Sequence, residues 1–236
     1  TTDAAGDTEI NGGSVDTTGT QTYNDDVTLG MNTVLTGTTI SFGDTVDAAT
    51  AATQSLTITG DAVFGDSAGD VVGSMARLSS LTVTGTTTIN GGNAMNTVDS
   101  VLTEGDQTYG DDVILGRHTT LASDAAGTIN FNGTINSNDN TMTVAGVPWD
   151  LIINTQGLTQ LDGGMVGNFN ELDNLITDDP AAPASQRGGT TQLLGTFNTV
   201  LNQTFNDAVV LTGNVVNNSS MMGDVSYNST LDADAT

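Results

Sequence analysis

One ten-residue run occurs three times in the chain, and this internal repeat limits the possible folds more than any other feature. The copies lie 86 and 96 residues apart. Tandem copies within one chain are typical of architectures in which a structural unit stacks on a copy of itself. The three copies are QTYNDDVTLG at 21–30, QTYGDDVILG at 107–116 and QTFNDAVVLT at 203–212.

A shorter period of 19–25 residues runs inside the long copies. Short stretches alternate apolar residues with threonine and then stop at glycine, as in LTITG at 56–60 and LTVTG at 81–85. This alternation is typical of short strands with one buried face. A propeller would need blades of about 40–50 residues, and a sandwich gives no reason for a longer period. The sequence therefore predicts an all-β fold, a parallel β-helix (solenoid) of roughly ten coils of about 20–25 residues.

The predicted coils organise the whole chain. We expect four coils to make one long copy, and we interpret the chain as a single solenoid domain over residues 1–236. A surface loop inserted between coils is predicted near 178–189, where DDPAAPASQRGG breaks the alternation. The segment VVGSMARL at 71–78 is predicted to form one short helical turn. The long repeats lie at about 8–93, 94–189 and 190–236.

The chain is strongly acidic, with 28 carboxylates, three arginines, no lysine and a formal net charge of −25. Proteins bind nucleic acid by neutralising its phosphates with Lys and Arg, so we expect no nucleic-acid partner. No apolar run approaches the roughly 18 residues of a spanning helix, so we expect no membrane insertion. Most of the acids are Asp, which favours turns, whereas Glu favours helices.

Two acidic pairs, Asp25–Asp26 and Asp111–Asp112, are the candidates for a functional site. Hydrolysis of a glycoside needs two carboxylates at a set separation. These pairs recur at equivalent repeat positions, and adjacent strand residues point to opposite faces. We therefore interpret them as turn residues and expect no catalytic residue. Calcium binding at the four positions is the alternative, because Asp oxygens suit a hard cation, and no other cofactor is expected.

Two residues occur only once in the chain. Trp149 lies in the stretch GVPWD at 146–150, and we predict a bulky corner residue. The alternative is an exposed platform that contacts a sugar or a protein partner. His118 occupies the repeat position of Asn32, which favours a solvent-exposed corner. With one histidine and no cysteine, neither a zinc site nor a Cys–His pair is predicted.

The repeats resemble the β-strand repeats of very large secreted bacterial surface proteins of the filamentous-haemagglutinin and adhesin type. The likeness rests on the run QTYxDDVxLG and on LTVTGTTTINGG at 81–92, and it covers residues 8–177 best. The resemblance implies a right-handed parallel β-helix, export from the cell, and a role in adhesion, matrix or surface-layer construction. It supplies no functional residue that can be placed on this chain.

The sequence therefore predicts an extracellular, non-catalytic structural or adhesive protein, either a stalk or a self-assembling fibre or surface-layer subunit. A polysaccharide-active β-helix enzyme (lyase or hydrolase) is one alternative. An ice-binding solenoid is another, suggested by alternating threonines, although uneven coil lengths argue against a long regular array. Open strand edges invite another chain. We thus expect end-to-end self-association or continuation into further repeats, and a carbohydrate or cell-surface ligand is a further partner.

Overall fold

The computed structural model describes residues 1–92, 99–138 and 148–234, and these residues form stacked parallel coils. The prediction of a parallel β-helix of about ten coils is confirmed. One short 3-10 helix, η1 (Ala184–Gln186), is the exception among the described elements. In chain order the strands are β1 (Asp7–Ile10), β2 (Ser14–Asp16), β3 (Gln21–Tyr23), β4 (Asp26–Leu29), β5 (Thr33–Phe42), β6 (Val46–Ala48), β7 (Leu56–Phe64), β8 (Leu81–Val83), β9 (Thr87–Ile89), β10 (Val101–Thr103), β11 (Gln107–Tyr109), β12 (Val113–Leu115), β13 (Thr119–Ser123), β14 (Ile129–Phe131), β15 (Ile135–Ser137), β16 (Leu151–Thr155), β17 (Leu158–Val166), β18 (Leu175–Thr177), β19 (Thr190–Thr199), β20 (Gln203–Phe205), β21 (Ala208–Ser219), β22 (Val225–Tyr227) and β23 (Leu231–Ala233).

Each coil has three sides, because the chain passes through three strand segments before it returns to the same place one coil later. On side 1 the stack runs β1–β4–β6 and then β10–β13–β16–β18–β20–β22. Single parallel bridges from Val72 to Val46 and to Val101 join its two parts. We number the coils 1–10 by these side 1 segments, with Val72 marking coil 4.

Sides 2 and 3 belong to one continuous sheet, because five long strands bend around the corner between them. Side 2 contains β2, β8, β11, β14 and β23, and side 3 contains β3, β9, β12 and β15. The long strands β5, β7, β17, β19 and β21 give their first halves to side 2 and their second halves to side 3. At the bend Gly195 has a φ of 101°, and a Cβ there would collide with the carbonyl of Gly164.

The interior of the solenoid is filled by alternate residues of the strands. In a three-residue strand such as β11 the first and third side chains are buried and the middle one faces outward. In-register parallel pairing places like side chains above one another at a spacing of about 4.8 Å. On side 3 the ring of Phe42 stacks between Tyr23 and Phe64, with centroid distances of 5.3 and 5.6 Å. Apolar alternation in the sequence thus becomes a continuous apolar column.

The three copies of the ten-residue run lie on three different sides. The first copy begins on side 3 of coil 1 with β3, the second on side 2 of coil 5 with β11, and the third on side 1 of coil 9 with β20. Each step from copy to copy is therefore one side shorter than four coils. The expectation that four whole coils make one long copy is wrong. The ten-residue run forms one strand, the corner that follows it and the start of the next strand, and it occurs on each of the three sides of the solenoid.

The segment 71–78 does not form the predicted helical turn. Val72 carries the side 1 bridges of coil 4, and Leu78 bridges to Thr103 in coil 5. Asp47 of coil 3 accepts the backbone amides of Met75 and Ala76, both at 3.0 Å. The segment therefore bonds to the coils on either side of it, and these bonds replace the i to i+4 bonds that a helical turn would make.

Candidate functional site

Asp25, the first residue of the first acidic pair, is only 5 % exposed. The Thr2 hydroxyl donates to its Oδ1 at 2.6 Å, and the Thr8 hydroxyl contacts Oδ1 at 2.9 Å and Oδ2 at 2.8 Å. The bond from Thr2 is the largest influence on this carboxyl and, with the bond from Thr8, lowers the pKa of Asp25 in spite of its burial. The carboxylate is therefore held in its charged form by hydroxyls of its own chain.

Asp26 and Asp112 are the second residues of the two pairs, and each links its coil to the next one. The Thr45 hydroxyl donates to Asp26 Oδ1 at 2.6 Å. The amide and the hydroxyl of Thr134 both donate to Asp112 Oδ1 at 2.8 Å. Thr45 and Thr134 stand at the same corners one coil later, where the backbone leaves one strand and has not yet entered the next. A corner carboxylate thus pairs a backbone amide that the sheets leave free.

Asp111 is exposed, and its Oδ1 accepts the backbone amide of Asp112 at 2.9 Å. The carboxylates of each pair therefore serve different partners and do not converge on one point. Within residues 1–92, 99–138 and 148–234, no group of three or more Asp, Glu, His or Cys side chains could hold a metal ion. Calcium binding at Asp25, Asp26, Asp111 and Asp112 stays a prediction, and each of the four has a hydrogen bond to the chain itself.

The glutamine that opens each copy of the run is a buried clamp between two coils. In the second copy Gln107 Nε2 donates to the carbonyl of Ala122, one coil ahead, at 2.8 Å. The same nitrogen lies 3.2 Å from Thr103 Oγ1, in its own coil. The hydroxyl of Tyr109 donates to Gln107 Oε1 at 2.9 Å. Every polar atom of this fully buried amide is thus satisfied, as burial requires.

The clamp recurs in the other copies with one defect. In the first copy Gln21 Nε2 donates to the Thr36 carbonyl at 2.8 Å, and the Tyr23 hydroxyl donates to Gln21 Oε1 at 2.8 Å. In the third copy Gln203 Nε2 donates to the carbonyls of Phe197 and Asn218 at 2.9 and 2.8 Å. Residue 205 is phenylalanine, however, and Gln203 Oε1 is buried without a hydrogen-bond partner.

Asp207 holds the position in the third copy that Asp25 holds in the first, and it is equally buried. The hydroxyls of Thr177 and Thr191 donate to its two oxygens, each at 2.7 Å. Burial is the largest influence here and raises the pKa of Asp207, against the two hydroxyl bonds. Asp207 was not among the site residues predicted from the sequence, because Ala208 replaces the second acid of the pair. An alignment of the three copies of the run would have placed Asp207 at the position of Asp25.

A column of Asp and Asn side chains crosses the corner between sides 3 and 1 in coils 7–10. The backbone amide of Asn174 donates to Asp150 Oδ1 at 3.1 Å, and the backbone amide of Asn202 donates to Asn174 Oδ1 at 3.0 Å. The backbone amide of Asp224 donates to Asn202 Oδ1 at 2.9 Å. Successive members are 24, 28 and 22 residues apart. This uneven spacing hides the column in the sequence, although the corner is the same in every coil.

His118 extends this column into coil 6 and is not the solvent-exposed residue that the repeat position predicted. Its side chain is 15 % exposed, and Nδ1 lies 3.1 Å from the backbone nitrogen and 2.9 Å from Oδ2 of Asp150. A neutral imidazole accepts the amide at Nδ1, whereas a protonated one donates to the carboxylate. Asn32 accepts the Ser55 amide at 3.0 Å in the same way. The equivalence of His118 and Asn32 is therefore real, and only the exposure was wrong.

Trp149 is partly buried and packs against the core. Its ring meets the ring of His118 edge-on, with centroids 5.1 Å apart and an interplanar angle of 80°. Its amide donates to Ser137 Oγ at 3.2 Å, and its carbonyl accepts the Asp173 amide at 3.1 Å. These contacts are those of a corner residue. Contact with a sugar or partner through Trp149 stays a prediction, and residues 146 and 147 of its stretch lie outside the described residues.

The connection 178–189 between β18 and β19 lies against the coils before it. Asp178 accepts the amides of Gly188 at 2.6 Å and Gly189 at 3.2 Å, which closes the base of the loop. At the tip, the buried Gln186 donates from Nε2 to Asp124 Oδ1 of coil 6 at 2.8 Å. Asp124 Oδ2 in turn pairs with Arg77 Nη1 at 3.2 Å. The loop is thus fastened at both its base and its tip.

Neither a family model, nor a curated protein, nor a solved structure matches this chain. Its own geometry therefore carries the functional reasoning. In the described part of the chain, no helix is long and apolar enough to cross a membrane. An open hollow of about 510 Å³ lies at the coil 1 end and is lined by Tyr23, Gln21, Val15 and their neighbours. Glu9 is the single carboxylate in that lining, whereas hydrolysis of a glycoside uses two.

On side 2, the outward-facing side chains of coils 1–9 stack in a column that contains no charged residue. The strands stay in register along this side although the connections between them differ in length. Gln160 Nε2 also donates to Gln192 Oε1 at 3.2 Å within the column. The stacked residues are Ser14, Val34, Thr57, Thr82, Thr108, Asn130, Gln160, Gln192 and Val210.

Proposed function

We propose that this chain is a structural, non-catalytic solenoid of an extracellular surface protein, either a stalk or a fibre subunit. The proposal rests on one observation: the buried and corner polar side chains form hydrogen bonds between successive coils. The glutamine clamps and the corner acids and amides join one coil to the next. Bonds of this kind, repeated along the axis of the solenoid, resist bending and pulling. A stalk needs this resistance. Secretion and adhesion rest on the resemblance of the repeats to bacterial surface proteins.

The dimensions support this role. Ten coils at about 4.8 Å each give a rod of about 48 Å from 236 residues. Among the described residues the strands pair only between neighbouring coils, so further coils extend the rod without altering the pairing already present. A net charge of −25 keeps such rods apart laterally at low ionic strength.

Immunogold labelling of the source cells tests the location and the role together. Antibodies raised against the purified chain should label the outside of intact cells, in filaments or a surface layer. Labelling that appears only after the cells are permeabilised would contradict the proposal. Antibodies absorbed with the purified chain are the control for non-specific label.

The polysaccharide-active enzyme is tested separately by incubating the chain with neutral and acidic polysaccharides. Reducing ends report hydrolysis, and absorbance of unsaturated sugars reports elimination. We expect neither, because Asp25, Asp26 and Asp112 already accept hydrogen bonds from the chain and do not face one another. Sugar release that is lost in an Asp26→Asn or Asp112→Asn variant would overturn the non-catalytic proposal.

The ice-binding alternative is favoured by one observation, the uncharged outward column of side 2 with Thr57, Thr82 and Thr108 at its centre. A flat array of hydroxyls at a regular spacing suits an ordered water lattice. Thermal hysteresis of the purified chain tests this alternative. A Thr82→Lys/Thr108→Lys variant should abolish any hysteresis that arises on side 2, whereas Asn218→Lys on side 3 should leave it unchanged.

A further inference from the structure

We propose that the chain cleaves its own backbone between Asp179 and Pro180 in mild acid, and that a turn in the loop 178–189 promotes this reaction. The nucleophile is the Asp179 side chain, which attacks its own main-chain carbonyl. This bond is the one Asp–Pro bond in the sequence. The cleavage occurs once in each chain and consumes only water, so it goes beyond the proposed structural role and does not depend on it.

A tight turn over residues 179–182 places the Asp179 side chain beside the bond that follows it. The main-chain carbonyl of Asp179 accepts the amide of Ala182 at 2.9 Å, with Pro180 in the second position of the turn. Proline suits this position because its φ is already fixed. Asp179 Oδ1 accepts the amide of Ala181 at 2.9 Å. This second bond folds the carboxyl group back over the Asp179–Pro180 peptide bond.

The turn holds each group that the cleavage needs. Among the described residues, none donates a hydrogen bond to Asp179 Oδ2, so this oxygen is available as the nucleophile. The Ala182 amide already bonds to the carbonyl oxygen on which negative charge develops during the attack, as an oxyanion donor does. The Pro180 nitrogen has no N–H and carries two alkyl carbons besides the acyl group. It therefore takes up a proton more readily than the nitrogen of another peptide bond.

The reaction is the hydrolysis of one peptide bond in two steps. Oδ2 of the protonated Asp179 carboxyl group forms a bond to the main-chain carbonyl carbon of the same residue, and the bond from that carbon to the Pro180 nitrogen breaks. The carboxyl proton goes to this nitrogen, which leaves as a secondary amine. One water molecule then opens the five-membered cyclic anhydride, and Asp179 becomes a C-terminus with both carboxyl groups free. Attack within one residue gains the high effective concentration of an intramolecular reaction.

Solvent reaches the turn and supplies the water and the protons. Pro180 and Ala181 are exposed, and Asp179 is half-buried. The attacking group reacts in its protonated form, because its proton is the one that the leaving nitrogen receives. The rate should therefore rise as the pH falls to about 4 and below, where aspartyl carboxyl groups become protonated.

Two charged side chains flank the turn, and neither bonds to the Asp179 carboxyl group. Asp178 accepts two glycine amides at the base of the loop. Arg187 Nη1 donates to the main-chain carbonyl of Pro180 at 2.8 Å. On the solenoid side, the neutral Asn154 of β16 accepts the Asp179 amide at 2.9 Å. The pH dependence of cleavage should therefore follow the protonation of Asp179 itself.

The cleaved rod should stay assembled, because both sides of the cut are held by neighbouring coils. Before the cut, β18 pairs with β16 and β20. After the cut, β19 pairs with β17 and β21. The fragments 1–179 and 180–236 should therefore migrate together in native buffer and separate only when they are unfolded.

Incubation of the full chain at a series of pH values from about 7 down to about 3 tests the cleavage. Denaturing electrophoresis and intact mass spectrometry should show the fragments 1–179 and 180–236, whose masses together exceed that of the uncut chain by one water. At the lowest pH at which circular dichroism shows the folded chain, the folded chain should be cleaved about tenfold or more faster than the chain in urea. A chain that stays uncut in acid, a cut at another bond, or equal rates in the folded chain and in urea would overturn the proposal.

Three variants separate the turn from general acid hydrolysis. Asp179→Glu keeps the charge but lengthens the side chain, and it should slow the cleavage by about tenfold or more. Ala182→Pro removes the amide that bonds to the reacting carbonyl, and it should lower the rate in the folded chain but not in urea. Asp178→Asn is the matched control, since it keeps the Asp179–Pro180 bond, and it should still be cleaved.

Cleavage of Asp179→Glu at the rate of the unchanged chain, or an unchanged rate in folded Ala182→Pro, would overturn the proposal. Loss of cleavage in Asp178→Asn would also overturn it, because the neighbouring acid would then be the reacting group. None of these results alters the structural role, which surface labelling of intact cells decides.

Discussion

The clamps of the three copies differ by one oxygen atom, the hydroxyl of a tyrosine that is present in the first two copies and absent from the third. Gln21 and Gln107 each receive a tyrosine hydroxyl, whereas Gln203 lies beside Phe205 and its Oε1 has no partner. A buried acceptor without a donor costs about 1–3 kcal/mol. The clamp therefore allows the worth of a single buried hydrogen bond to be measured in both directions within one protein.

We expect Phe205→Tyr to raise the free energy of unfolding by about 1 kcal/mol and Tyr109→Phe to lower it by about 1–3 kcal/mol. The first substitution supplies the missing donor, and the second removes an existing one. Urea unfolding of each variant checks the pair. Tyr23→Phe, in the terminal coil, is the matched control and should cost less. A destabilising effect of Phe205→Tyr, or no effect of Tyr109→Phe, would contradict this interpretation of the clamps.

The buried acids Asp25 and Asp207 hold the same repeat position and should respond oppositely to pH. The pKa of Asp207 is raised above 3.8 in the folded chain. Its ionisation therefore lowers the stability of the fold as the pH rises from 3.8 through the raised value. The pKa of Asp25 is lowered below 3.8, so its contribution is present above 3.8 and is lost as pH falls through the lowered value. At neutral pH, Asp207→Asn should therefore stabilise the protein and Asp25→Asn should destabilise it.

Unfolding midpoints of these two variants across the acid range check the signs. The Asp207→Asn difference should shrink as the pH falls through the raised pKa of Asp207 towards 3.8, and the Asp25→Asn difference should shrink only as the pH falls from 3.8 through the lowered pKa of Asp25. Asp26→Asn, whose carboxyl is exposed, serves as the control. The same sign for the Asp25 and Asp207 variants at neutral pH would contradict the account.

The strands could be predicted from the sequence, whereas the corners between them could not. Alternation within LTITG or LTVTG is local, since side chains of a strand alternate between two faces, and it identified β7 and β8 directly. Corners depend on contacts between residues 19–32 apart, and this spacing changes from coil to coil. The column through Asn174 and Asn202 was therefore missed, and so was the one-side shift between copies of the run. The clamp glutamines were quoted in the run, but a glutamine in a sequence does not reveal that it is buried.

The hydrogen bond between Gln186 and Asp124 fastens the loop 178–189 to coil 6. Because Gln186 is held by Asp124, we expect Asp124→Ala to free the tip of the loop and to speed trypsin cleavage after Arg187. Glu104→Ala is the matched control, since Glu104 also pairs with Arg77 but does not touch the loop. Limited proteolysis followed by mass spectrometry measures both rates. Equal rates for the two variants would mean that the bond to Asp124 does not hold the loop.

One strand register is kept through all ten coils of the described solenoid. Clamps, corner columns and aromatic stacks each join neighbouring coils, and the outward column of side 2 stays in line although the loops differ in length. A rod that slipped in register would expose the buried Gln and Asp side chains of the clamps and corners.

Distances between pairs of spin labels along side 2 test this register most directly, and the absence of native cysteine allows specific labelling. In Thr57→Cys/Gln192→Cys the labels are five coils apart, and in Ser14→Cys/Asp232→Cys they are nine coils apart. At about 4.8 Å per coil, the expected separations are about 24 Å and about 43 Å. We predict a difference of about 19 Å between the two pairs. Equal distances, or a longer distance for the first pair, would contradict the stacked solenoid.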